Sequence, residues 1–169
     1  MRALLVVLCL LLSPSAWAVT VLGSCNFTLT STPGLSYTVQ TAAQTQASTL
    51  NINCSAVLTL VSSFNYTVSY GGGSAGNVAN RSMVHSTDAA SRLAYTLRAS
   101  SSASSTLLGD GTGGTSIQSG VLNCLIALLG NCLSGTTQVN LNSWLHVPAR
   151  QFVRPGSYAD SMVVTITLN

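Results

Sequence analysis

Two histidines and three aspartates are the side chains of this sequence best suited to acid–base chemistry. His85 stands near Asp88, and His146 could be matched with Asp160, as a general base with its orienting carboxylate. With so few of these residues spread over 169 positions, such pairs arise by coincidence, and the chain contains no Glu for paired-carboxylate chemistry. No catalytic residues, no cofactor and no metal site are predicted, and the chain is not expected to be an enzyme.

A second candidate is the run Gly72-Gly73-Ser74-Ala75-Gly76, which formally matches G-x-S-x-G. A nucleophile elbow of that form needs a strand-to-helix turn in an α/β fold. Here the run follows the apolar alternation that ends at Tyr70, so a flexible hairpin loop is the favoured interpretation.

The first eighteen residues are typical of a secretory signal peptide. Arg2 supplies the positive start, Ala3 to Leu12 is a short apolar run, and Ala16-Trp17-Ala18 is a small-residue cleavage site. The apolar run is too short to anchor the chain across a bilayer. Leu22-Gly23-Ser24-Cys25 resembles a lipoprotein box, but it does not adjoin the apolar run, so a mature chain starting at Val19 is favoured.

Four cysteines remain after loss of Cys9 with the leader: Cys25, Cys54, Cys124 and Cys132. An even number in an exported chain indicates two disulfides, with three connectivities. Order along the chain favours Cys25–Cys54 and Cys124–Cys132. A zinc site would want C-x-x-C pairs with clustered His, and the spacing here does not provide them.

The composition excludes several classes of protein. The chain is 47% hydrophobic and only 5% charged, with six Arg and no Lys. A disordered chain or a helical bundle needs far more charge. After Ala18, five Arg face three Asp, and so small and dispersed a positive charge does not predict nucleic-acid binding.

Alternation with a period of two residues runs along the mature chain and predicts half-buried strands. Glycine- and serine-rich stretches between these segments predict turns. The combination predicts an all-β sandwich in one domain. The alternating segments are Cys25 to Thr30, Thr49 to Cys54, Ser63 to Tyr70, Leu93 to Leu97 and Met162 to Leu168.

One intensely apolar segment, Val121 to Leu133, carries both late cysteines. It predicts either a buried strand or short helix, or a protruding loop closed by its own disulfide. In the second case Leu125, Ile126, Leu128 and Leu129 would form a candidate adhesive loop, because exposed apolar patches mark binding sites.

The order of the remaining motifs is specific. Asn80-Arg81-Ser82-Met83 precedes Leu93-Ala94-Tyr95-Thr96-Leu97, and Gly156-Ser157-Tyr158-Ala159-Asp160 precedes the last alternating strand. This order resembles the spore coat protein U domain family, which includes subunits of archaic (Csu-type) chaperone–usher pili. The resemblance covers nearly all of residues 19–169. The departures are the insert around Cys124 to Cys132 and a short N-terminus.

The resemblance implies an immunoglobulin-like β-sandwich that lacks its last strand. In the family, a periplasmic pilus chaperone lends a strand, and the N-terminal segment of a neighbouring pilus subunit replaces it at an outer-membrane usher. This is β-augmentation. Met162, Val164, Ile166 and Leu168 would then line one wall of a donor-strand groove. The expected product is exported through the periplasm to a surface pilus (fimbrium) that serves cell adhesion and biofilm formation, with no membrane span after signal cleavage.

Two further expectations follow. A subunit that donates a strand needs about ten extended residues, and only Val19 to Ser24 would precede a bridged Cys25. The chain is therefore expected to accept a strand but not to donate one. A subunit that only accepts belongs at the pilus tip, so that position is predicted. The alternative function is a stand-alone secreted coat protein or carbohydrate-binding β-sandwich that folds without a partner.

Overall fold

The computed structural model describes residues 24–30, 34–55, 62–128 and 131–169, with the backbone alone at residues 62, 125–128 and 131–134. This part of the chain forms eleven strands and a single 3-10 turn at Gly73–Ala75. In chain order the strands are β1 Ser24–Thr30, β2 Leu35–Tyr37, β3 Gln44–Ser55, β4 Ser62–Tyr70, β5 Arg81–His85, β6 Asp88–Arg98, β7 Gln118–Leu128, β8 Asn131–Thr136, β9 Gln138–Val147, β10 Gly156–Ala159 and β11 Val164–Leu168.

The strands form two antiparallel sheets. One has seven strands in the order β1-β3-β9-β6-β5-β10-β2, and the other has four in the order β11-β4-β7-β8. The predicted all-β, immunoglobulin-like sandwich is confirmed. Among the described residues, no helix is both long and apolar enough to cross a membrane.

The core lies between the two sheets because the apolar residues of each strand alternate inward. Along β3, the exposed fractions of Leu50, Ile52 and Cys54 are 3%, 0% and 2%, whereas Asn51 and Asn53 lie on the outer face. The same core cluster receives Tyr66 and Val68 from β4 and Leu122 from β7. A second cluster packs under β2, β5 and β10 around Tyr37, Met83 and Tyr158.

Several strand boundaries differ from the alternation in the sequence. β3 begins at Gln44 and pairs with β9 from Gln44↔Val147 onward, although Gln44 to Ser48 carry no apolar alternation. Backbone pairing with a long neighbour extends the strand where side chains give no signal. β11 begins at Val164, later than the predicted Met162.

The described parts of the apolar segment, residues 121–128 and 131–133, lie in the paired strands β7 and β8 and not in a short helix. β7 and β8 pair antiparallel with two register irregularities, between Cys124 and Ile126 and between Ile126 and Ala127. Leu129 lies outside the described residues, and so do the side chains of Leu125, Ile126 and Leu128. The proposal that these four form an adhesive loop therefore stays a prediction.

Candidate functional site

The inner face of β1 is left uncovered at the edge of the large sheet. Phe27 stands opposite Ile52, and Leu29 stands opposite Leu50, and residues directly opposite share a face. Ile52 and Leu50 are 0% and 3% exposed, whereas Phe27 and Leu29 are 44% and 52% exposed. The second sheet therefore covers β3 but stops short of β1.

β11 forms the facing edge, at the end of the four-stranded sheet. Val164, Ile166 and Leu168 pack against the core cluster but are only partly buried, and Met162 does so just before the strand. The four predicted groove residues thus share one apolar side of the chain.

The backbone of β11 presents a free row of hydrogen-bonding groups. Asn65 and Asn169 exchange both backbone bonds, at 2.8 and 2.9 Å. Residue pairs in an antiparallel ladder alternate between hydrogen-bonded and non-hydrogen-bonded positions. Thr165 and Thr167 therefore also direct their N–H and C=O groups to β4. The N–H and C=O groups of Val164, Ile166 and Leu168 point away from β4. Within the described residues, β11 pairs with β4 alone.

A cavity of about 330 Å³ opens between these two edges, from Leu29 on β1 to Val164 on β11. Tyr70, Tyr95 and Leu97 are among the residues that line it. We call the strip between β1 and β11, which has this cavity at one end, the groove. Its apolar walls and free strand edge can accept an extended chain.

Arg81 is a buried cation at the cavity end of the groove. Its guanidinium is 2% exposed and donates to the carbonyl oxygens of Gly71, Tyr70 and Leu108, each at 2.9 Å. Burial lowers the pKa of Arg81. Three carbonyls thus compensate the desolvation of the guanidinium, and they fix the end of β4 to the segment carrying Leu108.

Asp160 is the acceptor that holds the chain just before Met162 and β11. Its carboxylate accepts from the Tyr95 hydroxyl at 2.5 Å and from the Ser74 backbone N–H at 2.7 Å, and also from the Ser74 hydroxyl. Burial, followed by the bond to Asp160, raises the pKa of Tyr95. A Cβ on Gly73, whose φ is +60°, would meet the carboxylate at 2.0 Å.

The run Gly72 to Gly76 is a loop between β4 and β5, and its Ser74 holds the Asp160 carboxylate. Arg81, Tyr95 and Asp160, far apart in sequence, converge at this end of the groove. The motifs that carry the family resemblance thus have a physical role: they fix where β11 starts.

The two histidines are held by neighbours other than the aspartates matched with them in the sequence. His85 Nε2 lies 3.1 Å from the Pro155 carbonyl oxygen, and its Nδ1 accepts from the Thr87 N–H. His146 Nε2 lies 3.1 Å from the Ser100 carbonyl oxygen. No group of three or more metal-ligating side chains occurs among the described residues.

Cys25 and Cys54 form a disulfide between directly opposite positions of β1 and β3, which confirms that predicted bridge. A sulfur in a disulfide cannot carry a lipid, so the lipoprotein alternative at Cys25 conflicts with the structure. Cys124 is also disulfide-bonded. The side chain of Cys132 lies outside those described, so the Cys124–Cys132 pairing stays a prediction.

Phe27 and Leu29 are the groove residues that sequence reasoning missed. Their alternation with Asn26, Thr28 and Thr30 is a clear strand signal, but it predicts only an inner face. That this face is open follows from the position of β1 at the sheet edge, which no local pattern encodes.

Comparison with known proteins identifies a family. The Spore Coat Protein U domain family matches residues 11–165. No curated protein matches the sequence. A similar solved structure comes from work titled "Chaperone-tip adhesin complex is vital for synergistic activation of CFA/I fimbriae biogenesis", with 14% identity and a TM-score of 0.39; the match covers 76% of this chain and 35% of that one. The chain therefore spans about a third of that relative's length.

Proposed function

The chain belongs to the Spore Coat Protein U domain family, and we propose that it is a structural subunit of a chaperone–usher surface pilus. In this proposal a strand from another protein completes the groove. A periplasmic chaperone supplies that strand first, and a neighbouring subunit replaces it at an outer-membrane usher. The pilus serves adhesion and biofilm formation.

The observation that carries the proposal is the pairing of a free strand edge with an uncovered apolar face. The outward backbone groups of β11 lie beside Val164, Ile166 and Leu168 on one wall, and Phe27 and Leu29 stand on the other. An exposed edge of this kind templates pairing with another chain. In β-augmentation, the main chain supplies affinity and alternate side chains fill pockets.

The dimensions of the groove suit a single added strand. β11 has five residues, a length of roughly 17 Å at about 3.3 Å per residue. A partner of about seven residues would cover it. Alternate apolar side chains of that partner would fill the gap between Leu29 and Val164, where the cavity of about 330 Å³ is large enough for one bulky side chain.

A covalent version of this completion tests the proposal. A short turn and an alternating Val/Thr strand of about seven residues, added after Asn169, would lie antiparallel to β11. We expect the extended chain to be monomeric and to unfold cooperatively in urea, with a midpoint well above that of the unextended chain. A control extension of the same composition, with the Val residues made consecutive, should not stabilise it.

The opposite outcome would favour the stand-alone alternative. If the unextended chain is already a cooperatively folding monomer, and the alternating extension leaves its urea midpoint unchanged, the groove is not a strand acceptor. A stand-alone coat or carbohydrate-binding protein would then be the better assignment.

We further propose that this subunit accepts a strand but does not donate one, which places it at the pilus tip. In support, β1 is paired with β3 from Ser24↔Ser55 to Thr30↔Thr49, and its Cys25 is bridged to Cys54. A strand held in this way cannot leave its own sheet to serve another subunit. Mixing the chaperone-bound chain with an acceptor-competent subunit decides the matter, since growth from the N-terminus of this chain would refute the tip position.

A further inference from the structure

The outer face of the large sheet carries a regular array of uncharged polar side chains on β1, β3 and β9. The register places them in three rows across the strands, and alternate residues put them on the face opposite the core. We call this array the polar grid; its rows are Asn26–Asn53–Gln138, Thr28–Asn51–Asn140 and Thr30–Thr49–Asn142.

The composition of the polar grid departs from local structural preference. The chain has eleven Asn residues, and five of them occupy these nine positions. Asn is depleted in strands, where Thr and Val would be favoured. Positions that break a local rule are expected at functional sites.

Two contacts pre-organise the array. Asn51 Nδ2 donates to Asn140 Oδ1 at 2.6 Å, and Thr49 Oγ1 donates to Asn142 Oδ1 at 2.9 Å. An amide offers two N–H donors and an oxygen with two lone pairs, and in its bond to Asn51 the side chain of Asn140 uses only the oxygen. The grid therefore holds its amides in place while leaving donors and acceptors for a ligand.

The chemistry of the grid limits what can dock there. None of the nine side chains is charged. The cation that adjoins the grid, Arg98 opposite Trp144, donates to the Ser105 carbonyl oxygen, so the grid itself offers no opposite charge to an ionic partner. An apolar partner would bury amides without hydrogen bonds, at a cost of about 1–3 kcal/mol each. A suitable partner is neutral and offers hydroxyl groups at close, repeated spacing.

We propose that the polar grid binds a neutral polysaccharide. Three strands at about 4.8 Å and five residues along β1 at about 3.3 Å give an area of roughly 10 by 13 Å, large enough for a few sugar rings. Trp144, partly exposed on the same face in the next row opposite Ala47, supplies an apolar surface beside the hydrogen-bonding groups.

This binding surface is distinct from the groove, since it lies on the opposite face of the large sheet. The two can therefore fail separately. A chain that accepts a strand but binds no polysaccharide would refute the grid alone, and a chain that binds polysaccharide without accepting a strand would refute only the proposed pilus assembly.

The test is co-sedimentation of the full exported chain with insoluble neutral polysaccharides, namely cellulose, curdlan and mannan, with soluble alginate as an anionic competitor. We expect binding to at least one neutral polymer, without competition by alginate. The double variant Asn51→Thr/Asn140→Thr keeps strand propensity and removes two amides. It should bind about tenfold more weakly, the loss expected for one to two hydrogen bonds.

Two further variants keep the result interpretable. Asn123→Thr makes the same change on β7 of the other sheet, where the side chain is exposed, and should bind like wild type. If the double variant does not fold, Asn53→Thr in an outer row takes its place. This variant should lose less polysaccharide affinity than is expected for the double variant. Absence of binding to every one of the three neutral polymers would overturn the proposal. An equal loss of binding in Asn123→Thr would overturn it as well.

Discussion

Arg81 shows how a single residue fixes the geometry of the groove. Its buried guanidinium satisfies three backbone carbonyls near the end of β4 and at Leu108. Asp160, on the other side, holds the chain that leads into β11. Arg81 does not line the cavity at the end of the groove, whereas Asp160 does, so Arg81 acts on the proposed function only by positioning its neighbours.

Replacing Arg81 should therefore be among the most destabilising single changes in the chain. Arg81→Met leaves three carbonyls without donors, at about 1–3 kcal/mol each, so we expect a loss of about 3 kcal/mol or more. The matched control is Arg154→Met, whose guanidinium is 58% exposed and 3.6 Å from Asp88, and which should cost less than about 1 kcal/mol. Urea unfolding of the strand-completed chain measures both, and equal losses would contradict the role assigned to Arg81.

Tyr70 gives the fold a defined alkaline limit. Burial raises the pKa of Tyr70 from 10.0 to about 12. Between these values the unfolded chain releases the phenolic proton and the folded chain keeps it, so stability is full below pH 10 and falls as pH rises toward 12. Tyr70→Phe should remove part of this decline in urea midpoints, and the rest should persist because the pKa of Tyr95 is raised as well; the variant also loses the bond to Gln118. An unchanged slope would show that Tyr70 is not the group responsible.

At the scale of elements, β11 combines two faces with different roles. Its apolar residues face the core and groove, and Thr165 and Thr167 face outward and are exposed. Such a strand tolerates charge on one face only.

The expected result is a strong contrast between neighbouring positions. Ile166→Asp places a carboxylate in an apolar wall, which is costly without a partner, and should abolish recovery of soluble protein even when a chaperone is co-expressed. Thr167→Asp, one residue away on the exposed face, should be recovered like wild type. Normal co-purification of Ile166→Asp with the chaperone would contradict the assignment of Ile166 to the groove.

At the scale of the whole molecule, we propose a signal peptide at residues 1–18 and a spore coat protein U-like domain at residues 19–169. The bridge at Cys25 argues against lipid attachment to that residue, because its sulfur is already bonded to Cys54. Exported chains form such bridges readily.

Intact mass of the exported protein measures this directly. We expect a chain that begins at Val19, carries two disulfides and incorporates no labelled palmitate. Ala18→Leu, at the cleavage position, should leave the longer precursor, and Ala16→Leu should slow processing in the same way. A palmitate-labelled species starting at Cys25 would refute the proposal.

The class of fold follows from the sequence alone, because strand alternation is a local property. The alternation shows which side chains share a face in three segments, Cys25 to Thr30, Thr49 to Cys54 and Ser63 to Tyr70. The strands β1, β3 and β4 form at these segments. The motifs around Arg81, Tyr95 and Asp160 likewise indicated the family, although not what these residues do.

Which inner faces are covered depends on how distant strands pair and pack. Leu29 and Leu50 have the same local signal, but Leu29 lies on an edge strand and is 52% exposed, whereas Leu50 is 3% exposed. The hydrogen bond to the Asp160 carboxylate joins it to Ser74, 86 residues away. The polar grid likewise depends on the register of three strands. These features arise from strand order and pairing between distant segments, which a pattern with a period of two residues does not contain.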